Sequence, residues 1–477
     1  MKTVLGIDCS TQSSTVVERN LDTGETISVS KSPHPVTHPP NSEQHPESWW
    51  SAFKENLKDI DRSRVTAMSV AGQGHGLVVL DSENQIIRPA KLWNDTTSTK
   101  QSEELINSIG VEKLVKKYGS VPLAAFTITK LAWLRENEPE NFNKIAKVML
   151  PHDYFNYKFT NIATTDRSDA TGTGYFDINT DAWDLDGLNR IDKKENWASF
   201  LPKVLKPDEI AGRITQKIAK ELELNEDVII GSGSNDNQAS ALAYGVINPG
   251  DLMISLGTSG TAFSPSLKSV VDESGIISCM AHTVSGFLPL ICTLNATKVT
   301  DLTAALLGVS VTDLSSMALE GSSKSDRPVM RPWIDGERTP NRPNSRALLT
   351  NIDNQITRND LARAAFEGVI FGILNGVNKL KSFGIQTNRI IVTGGGSKSN
   401  AYLQFLADAL DMPIYTAPFE DAAGSGAAVQ AAAAVLNLSL RDLVPEWMPK
   451  LQQSAEPRKN QNMNHVMERF SELLEIS

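Results

Sequence analysis

Clustered cysteines, basic stretches and long apolar runs are all scarce in this chain, and each scarcity excludes something. Three of 477 residues are cysteine, and Cys9, Cys279 and Cys292 stand far apart. That spacing offers neither a disulfide framework nor a zinc site, and it fits a reducing, cytoplasmic setting. No uninterrupted apolar run approaches the ~18 residues of a membrane-spanning helix. The nearest candidate, 422–438, is broken by Gln430 and Asn437 and reads as a buried helix of small residues. The opening MKTVLGIDCST enters a strand at once, with Asp8 inside it, which predicts no signal peptide. Lys and Arg number 46 against 56 Asp and Glu, a formal charge of −10. An acidic chain without a basic stretch suits neither nucleic acid nor an anionic membrane. An anionic ligand therefore has to be held locally, by turns and helix N-termini.

What the chain does have is apolar material, 40 % of its residues, and a length that argues for two or three domains. It also has one motif twice. Near the start it reads Leu5-Gly-Ile-Asp-Cys-Ser-Thr-Gln-Ser-Ser-Thr-Val-Val17, and midway Leu252-Met-Ile-Ser-Leu-Gly-Thr-Ser-Gly-Thr-Ala-Phe263. Each is an apolar run, a hydroxyl-rich turn of small residues and a second short run, which predicts a β-hairpin. Converging N–H and hydroxyl donors at such a turn can hold phosphate. The repeat predicts a duplicated architecture closing on a nucleotide from both sides.

The rest of the pattern is α/β with a mixed sheet. Strands are predicted at 3–7, 15–18, 26–31, 65–70 and 77–81, with a helix over 47–60 and mostly helical sequence over 98–145. The turn Asn248-Pro-Gly-Asp251 places a domain boundary near 245, dividing the chain into 1–245 and 246–477. The second half is predicted to hold hairpins through 291, helices at 297–307 and 358–383, a strand at 389–393, a helix at 399–410 and the alanine-rich helix. A polar segment spans 320–345, and the tail from about 451 reads as a surface helix.

Five segments carry chemistry. Asp8 ends the first strand beside the first hydroxyl turn. It is either a turn aspartate bonded to its own loop or a carboxylate that needs a divalent cation between itself and phosphate. Gly231-Ser-Gly-Ser-Asn-Asp-Asn-Gln238 follows a strand and opens an apolar helix. Asp236 there either caps the helix, with Asn235, or stands as an ionised carboxylate able to take a hydroxyl proton. Gly72-Gln-Gly-His-Gly76 and Trp93-Asn-Asp95 follow strand ends. Gln73, His75, Asn94 and Asp95 offer donors and acceptors for a polyol, and Trp93 a flat apolar face. Gly394-Gly-Gly-Ser-Lys-Ser-Asn400 lacks the Gly-Lys-Ser of a Walker loop. It is either a tight strand-to-helix turn or a place where a flat or phosphate-bearing group comes close.

Taken together, these segments resemble the FGGY family of carbohydrate kinases over nearly the whole chain and in the family's order. GIDCSTQS (6–13) resembles its first phosphate loop, AGQGHGLVVLD (71–81) its sugar turn and RPAKLWND (88–95) a second sugar contact. FTITKLAWLRENEPENF (126–142) resembles its lysine-centred helix, GSGSNDNQASALAYG (231–245) its catalytic-base segment and SLGTSGT (255–261) its second phosphate loop. DGERTPN (335–341), FEGVIFGI (366–373) and GGGSKSNAYLQFLAD (394–408) complete the set. The resemblance implies a two-domain ribonuclease-H-like, actin-type ATPase fold with an interdomain active-site cleft, and ATP-dependent phosphorylation of the terminal hydroxyl of a ketopentose. It implies Asp236 as the base and Asp8 as the organiser of Mg²⁺. Thr11, Ser13, Gly257, Thr258 and Ser259 would hold phosphates, and Gly395, Gly396 and Asn400 would lie along the adenosine. Gln73, His75, Trp93, Asn94, Asp95 and Asn237 would face the sugar. The family would also suggest a homodimer. The chain departs from the family's pattern at Ser10, usually Gly; at Thr15, often Lys or Arg; and at Gly74, often Met. Two alternatives stand beside this reading: a kinase for another sugar or polyol, and an actin-type ATPase acting on protein.

Overall fold

The computed structural model describes residues 1–193, 196–419 and 421–476. The chain forms two compact units. The first comprises Met1–Ile247 with Cys279–Phe287 and Phe419–Pro449; the second comprises Asn248–Ser278, Leu288–Pro418 and Lys450–Ser477. After residue 247 the chain returns to the first unit twice.

The first unit is built on a mixed sheet. Strand Thr3–Cys9 lies at its middle, antiparallel to Ser13–Asn20 and parallel to Val65–Gly72. Ser13–Asn20 continues antiparallel into Thr26–Pro33, and Val65–Gly72 continues parallel into Ile229–Gly231. The first strand is buried throughout, as a strand covered on both faces must be. One face takes helix Pro46–Asn56, which opens with proline in its first turn, and a cluster of Trp50, Phe53, Phe155 and Phe159.

Helix Ala422–Leu436 covers the other face. It can do so only because side chains are missing on both sides of the contact. A Cβ on Gly6 would lie 1.8 Å from the Gly424 carbonyl oxygen, and one on Gly426 would lie 1.8 Å from that of Ala239. The helix is therefore wedged between the first strand and helix Asp236–Ala243, with its alanines in the core. This close fit explains why a helix near the chain's end belongs to the first unit.

In the second unit, strand Gly250–Leu256 pairs antiparallel with Gly260–Phe263 and parallel with Thr387–Thr393. Phe287–Thr293 extends the sheet beyond Gly260–Phe263, and Ile414–Thr416 and then Gln452–Ala455 extend it at the other side. The 25-residue helix Arg358–Ser382 starts in a reciprocal cap between Thr357 and Asp360. Within the polar 320–345 segment, Val329–Arg331 forms a strand against Leu348–Thr350. The tail holds more than a surface helix. It supplies the edge strand Gln452–Ala455 and then a helix, Met463–Leu473, that buries Met463, Val466, Phe470 and Leu473. Those four recur at helical spacing, so one stripe packs while the other faces stay polar. Among the described residues, no single helix is long and apolar enough to cross a membrane.

Candidate active site

In the first unit, strand register brings the predicted residues to one level. Gly72 pairs with Cys9 on one side and with Asn235 on the other. The C-terminal ends of three strands therefore align, which is where open α/β sheets gather ligands. Asp8 stands on the first of these and Gln73 follows the second. Asp236 follows the third, as the first residue of helix Asp236–Ala243.

Asp8 is buried, and among the described residues its Oδ1 has no hydrogen-bond partner. Burial, then the negative charges of Asp421 and Asp236, hold its carboxyl well above the ordinary range, with Lys31 pulling the other way. Asp421 caps the alanine-rich helix by accepting from the Gly424 amide at 2.6 Å. Burial raises its carboxyl as well. Asp236 is half-buried. Its Oδ1 accepts from the Asn237 amide at 2.7 Å and from Asn237 Nδ2 at 2.8 Å. Burial pushes its carboxyl up to about 7, helped by Asp169 and Asp421 and opposed by the bonds from Asn237. Three carboxylates raised by burial, Asp8 and Asp236 also by neighbouring negative charge, form a place where a cation would relieve repulsion. Among the described residues no three metal-ligating side chains cluster, but Mg²⁺ commonly takes one or two carboxylates and completes its shell with water and phosphate.

Gln73 and Trp93 meet the first hairpin. Thr11 Oγ1 donates to Gln73 Oε1 at 2.9 Å and accepts from Trp93 Nε1 at 2.9 Å. Ser10 Oγ donates to the Ser13 carbonyl at 2.9 Å, which closes the hairpin turn. Trp93 remains 39 % exposed, so its ring is open to a ligand. The Asn94 Oδ1 is buried and unpartnered among the described residues. His75 adopts a left-handed backbone, φ 64°. Its ring lies against Phe126, and Nδ1 bonds the Gly172 carbonyl oxygen at 2.7 Å. Asp95 is placed differently from a sugar-facing carboxylate. It is fully buried and accepts from the Ser42 amide, the Thr97 amide and Lys91 Nζ, so it braces its own segment.

In the second unit, turn 257–259 joins the paired strands. The Gly257 carbonyl accepts from the Thr297 amide at 2.9 Å, and the Thr258 carbonyl from the Ala296 amide at 3.1 Å. Gly394, at φ 82°, and Gly396 pack so tightly on Leu256 that a Cβ on either would come within 2.6 Å of it. A cavity of about 380 Å³ opens beside them, lined by Gly395, Gly396, Asn400, Tyr402, Thr300 and Ser315 among others. It is the size of a small-ligand pocket.

Several participants were not singled out from the sequence. Asp421 gave little signal, since an aspartate before an alanine-rich run is an ordinary helix cap. Lys130 is the lysine of the lysine-centred helix, which the resemblance marked without giving it a role. It is fully buried, and Nζ donates at 2.6 Å to the His75 carbonyl and at 2.6 Å to that of Ala125, bracing turn 72–76. Burial drives its amine well below the ordinary range. His152 is also fully buried, with Nδ1 2.8 Å from Asp169 Oδ2 and Nε2 3.2 Å from Asp153 Oδ1. Burial opposes its charge, but Asp153, Asp169 and Asp166 outweigh it and raise the imidazole to about 9.

Comparison with known proteins shows the family. Residues 3–243 match the N-terminal domain of the FGGY family of carbohydrate kinases, and residues 252–435 match its C-terminal domain. The chain is 35 % identical over 448 residues to a xylulose kinase of Streptomyces coelicolor, covering 93 % of this chain and 90 % of that protein. It is 35 % identical over 433 residues to a xylulose kinase of Streptomyces rubiginosus, covering 90 % and 87 %. Among solved structures, xylulose kinase from Bifidobacterium adolescentis superposes with a TM-score of 0.87 at 31 % identity, covering 99 % of each chain. With both domains matched in order, two mixed sheets and the aligned strand ends in place, the chain belongs to the FGGY family of carbohydrate kinases, enzymes of the actin-like ATPase fold that take phosphate from ATP.

Proposed function

We propose that this enzyme transfers the terminal phosphoryl group of ATP to the terminal hydroxyl of D-xylulose, giving D-xylulose 5-phosphate. The observation that carries the substrate is the relatedness to xylulose kinases over nearly the whole length of the chain. Asp236 is the base. Asn237 occupies Oδ1, which leaves Oδ2 to take the proton of the attacking hydroxyl. A carboxyl near 7 is matched to that task at neutral pH. Trp93 offers its ring to the carbon skeleton, and Gln73, His75, Asn94 and Asn237 offer polar groups to the hydroxyls. Asp95 serves from behind by holding Lys91.

Phosphoryl transfer asks the protein mainly for positioning and charge stabilisation. Ser13 with turn 257–259 supplies donors to phosphate, and the cavity at Gly395, Gly396 and Asn400 takes the adenosine. Asp8, with its orphaned oxygen, is the residue to hold Mg²⁺, which when bound offsets phosphate charge. The well-spread cysteines support a cytoplasmic setting, and the family resemblance supports a homodimer. A coupled ADP-release assay across xylulose, ribulose, gluconate, glycerol and a pentitol tests the substrate. Xylulose should give the highest kcat/KM, and a higher value for any other acceptor would overturn the assignment.

A further inference from the structure

The sugar turn and the helix that begins at Asp236 meet at one side chain, Asn235. It is almost fully buried, and both ends of its amide are engaged. Oδ1 accepts from the Asn237 amide at 3.0 Å and so caps the helix. That cap fixes the amide's orientation and turns Nδ2 toward Asp169 Oδ1, 3.4 Å away. Serine, threonine or aspartate would cap as well. Only asparagine among the usual caps brings both an acceptor for the helix and an NH₂ for a carboxylate behind it.

The carboxylate behind is itself immobile. Asp169 Oδ2 is paired with His152. The histidine ring is packed where neither Gly72 nor Gly233 could carry a side chain: a Cβ at those positions would lie 2.8 Å from His152 Cβ and 2.6 Å from its Cδ2. The remaining wall is Gly74. Its backbone is not left-handed, so its conformation does not call for glycine. Its neighbour does: a Cβ there would stand 2.2 Å from Asn235 Nδ2 and 3.3 Å from Asp169 Oδ1.

We propose that Asn235 is a positioning residue for Asp236, tethered through Asp169 to the buried His152, and that the missing side chain at Gly74 is what makes room for the tether. The proposal rests on Asp236 being the base. Asn235 sets where the helix begins and therefore where the Asp236 carboxylate stands relative to the sugar turn. Alanine at position 74 meets the side-chain ends of Asn235 and Asp169 and no backbone atom, so it displaces the tether without breaking backbone.

The test is steady-state kinetics and thermal unfolding of N235S, G74A, the double variant and D236N. N235S keeps a cap acceptor, so its Tm should stay near that of the parent protein. Its kcat should fall about ten- to hundredfold, the cost of a small misplacement of a reacting group, with KM for ATP unchanged. G74A should show the same loss, and the double variant should be no worse than the poorer single, since both break one tether. Parental kcat in N235S, or losses that multiply in the double variant, would overturn the proposal. Parental turnover in D236N would instead remove the base assignment itself. An inactive D236N beside an unimpaired N235S would sink the tether alone.

Discussion

The hydroxyl of Thr11 donates to Oε1 of Gln73 across 2.9 Å, tying the first hairpin turn to the sugar turn. The Thr11 hydroxyl oxygen accepts from Trp93 Nε1. Thr11, expected beside phosphate, is thus bonded to two residues expected beside sugar. T11V should raise KM for the sugar about three- to tenfold, the worth of one ordinary hydrogen bond, and leave KM for ATP nearly unchanged. Initial-rate kinetics with each substrate varied decides this, and the opposite pattern would return Thr11 to the phosphate.

As the proposed base, Asp236 has to be ionised to take a proton, and burial raises its carboxyl to about 7. The rate should therefore rise with pH up to about 7. Below that, kcat/KM for the sugar should drop by about tenfold per pH unit. D236N should lose about 10²- to 10⁴-fold in kcat and show no such limb in its residual rate. A pH–rate profile of both proteins, with ATP binding measured by calorimetry to show that the variant still folds, is the check.

Gly395 and Gly396 are neighbours with opposite surroundings. A Cβ at 395 meets nothing within 4 Å, whereas one at 396 would sit 2.6 Å from Leu256 Cβ. G395A should keep the parental Tm and raise KM for ATP, because its methyl projects into the cavity. G396A should lower stability by about 1–3 kcal/mol through overpacking. Thermal unfolding without nucleotide separates the two, and equal melting shifts would contradict the packing described.

His152 is raised from 6.5 to about 9 by the carboxylates around it, against its burial. The folded state holds this proton more tightly than the unfolded chain. Its contribution to stability is complete below about pH 6.5 and is lost as pH climbs through about 9. Asp153, pushed up to about 7 by burial, acts with the same sign at lower pH. The Tm should therefore decline between pH 6.5 and 9, and H152Q should flatten that decline while lowering Tm below it. An unchanged slope in H152Q would assign the decline to other groups.

Much of this was legible in the residues. Periodicity and turn chemistry placed helix Thr297–Leu307 at its observed bounds, because these are set by local apolar spacing and nearby breakers. The two hydroxyl hairpins appear where the repeat put them. The alanine-rich helix was legible as buried but not as a partner of the first strand, since nothing local records that Gly6 and Gly424 touch across more than four hundred residues. Asp95 shows the same limit. A carboxylate after a strand end looks the same in sequence whether it faces a ligand or, as here, neutralises Lys91.

The chain by itself determined the elements, the two hairpin turns and the residue types able to hold phosphate and accept a proton, because those depend on neighbours a few positions apart. Tertiary structure alone decided which carboxylates stand together. The raised acids at Asp8 and Asp236, the charged His152 and the tether at Asn235 all arise from groups brought into contact from distant segments and stripped of water, and burial of that kind has no local signature.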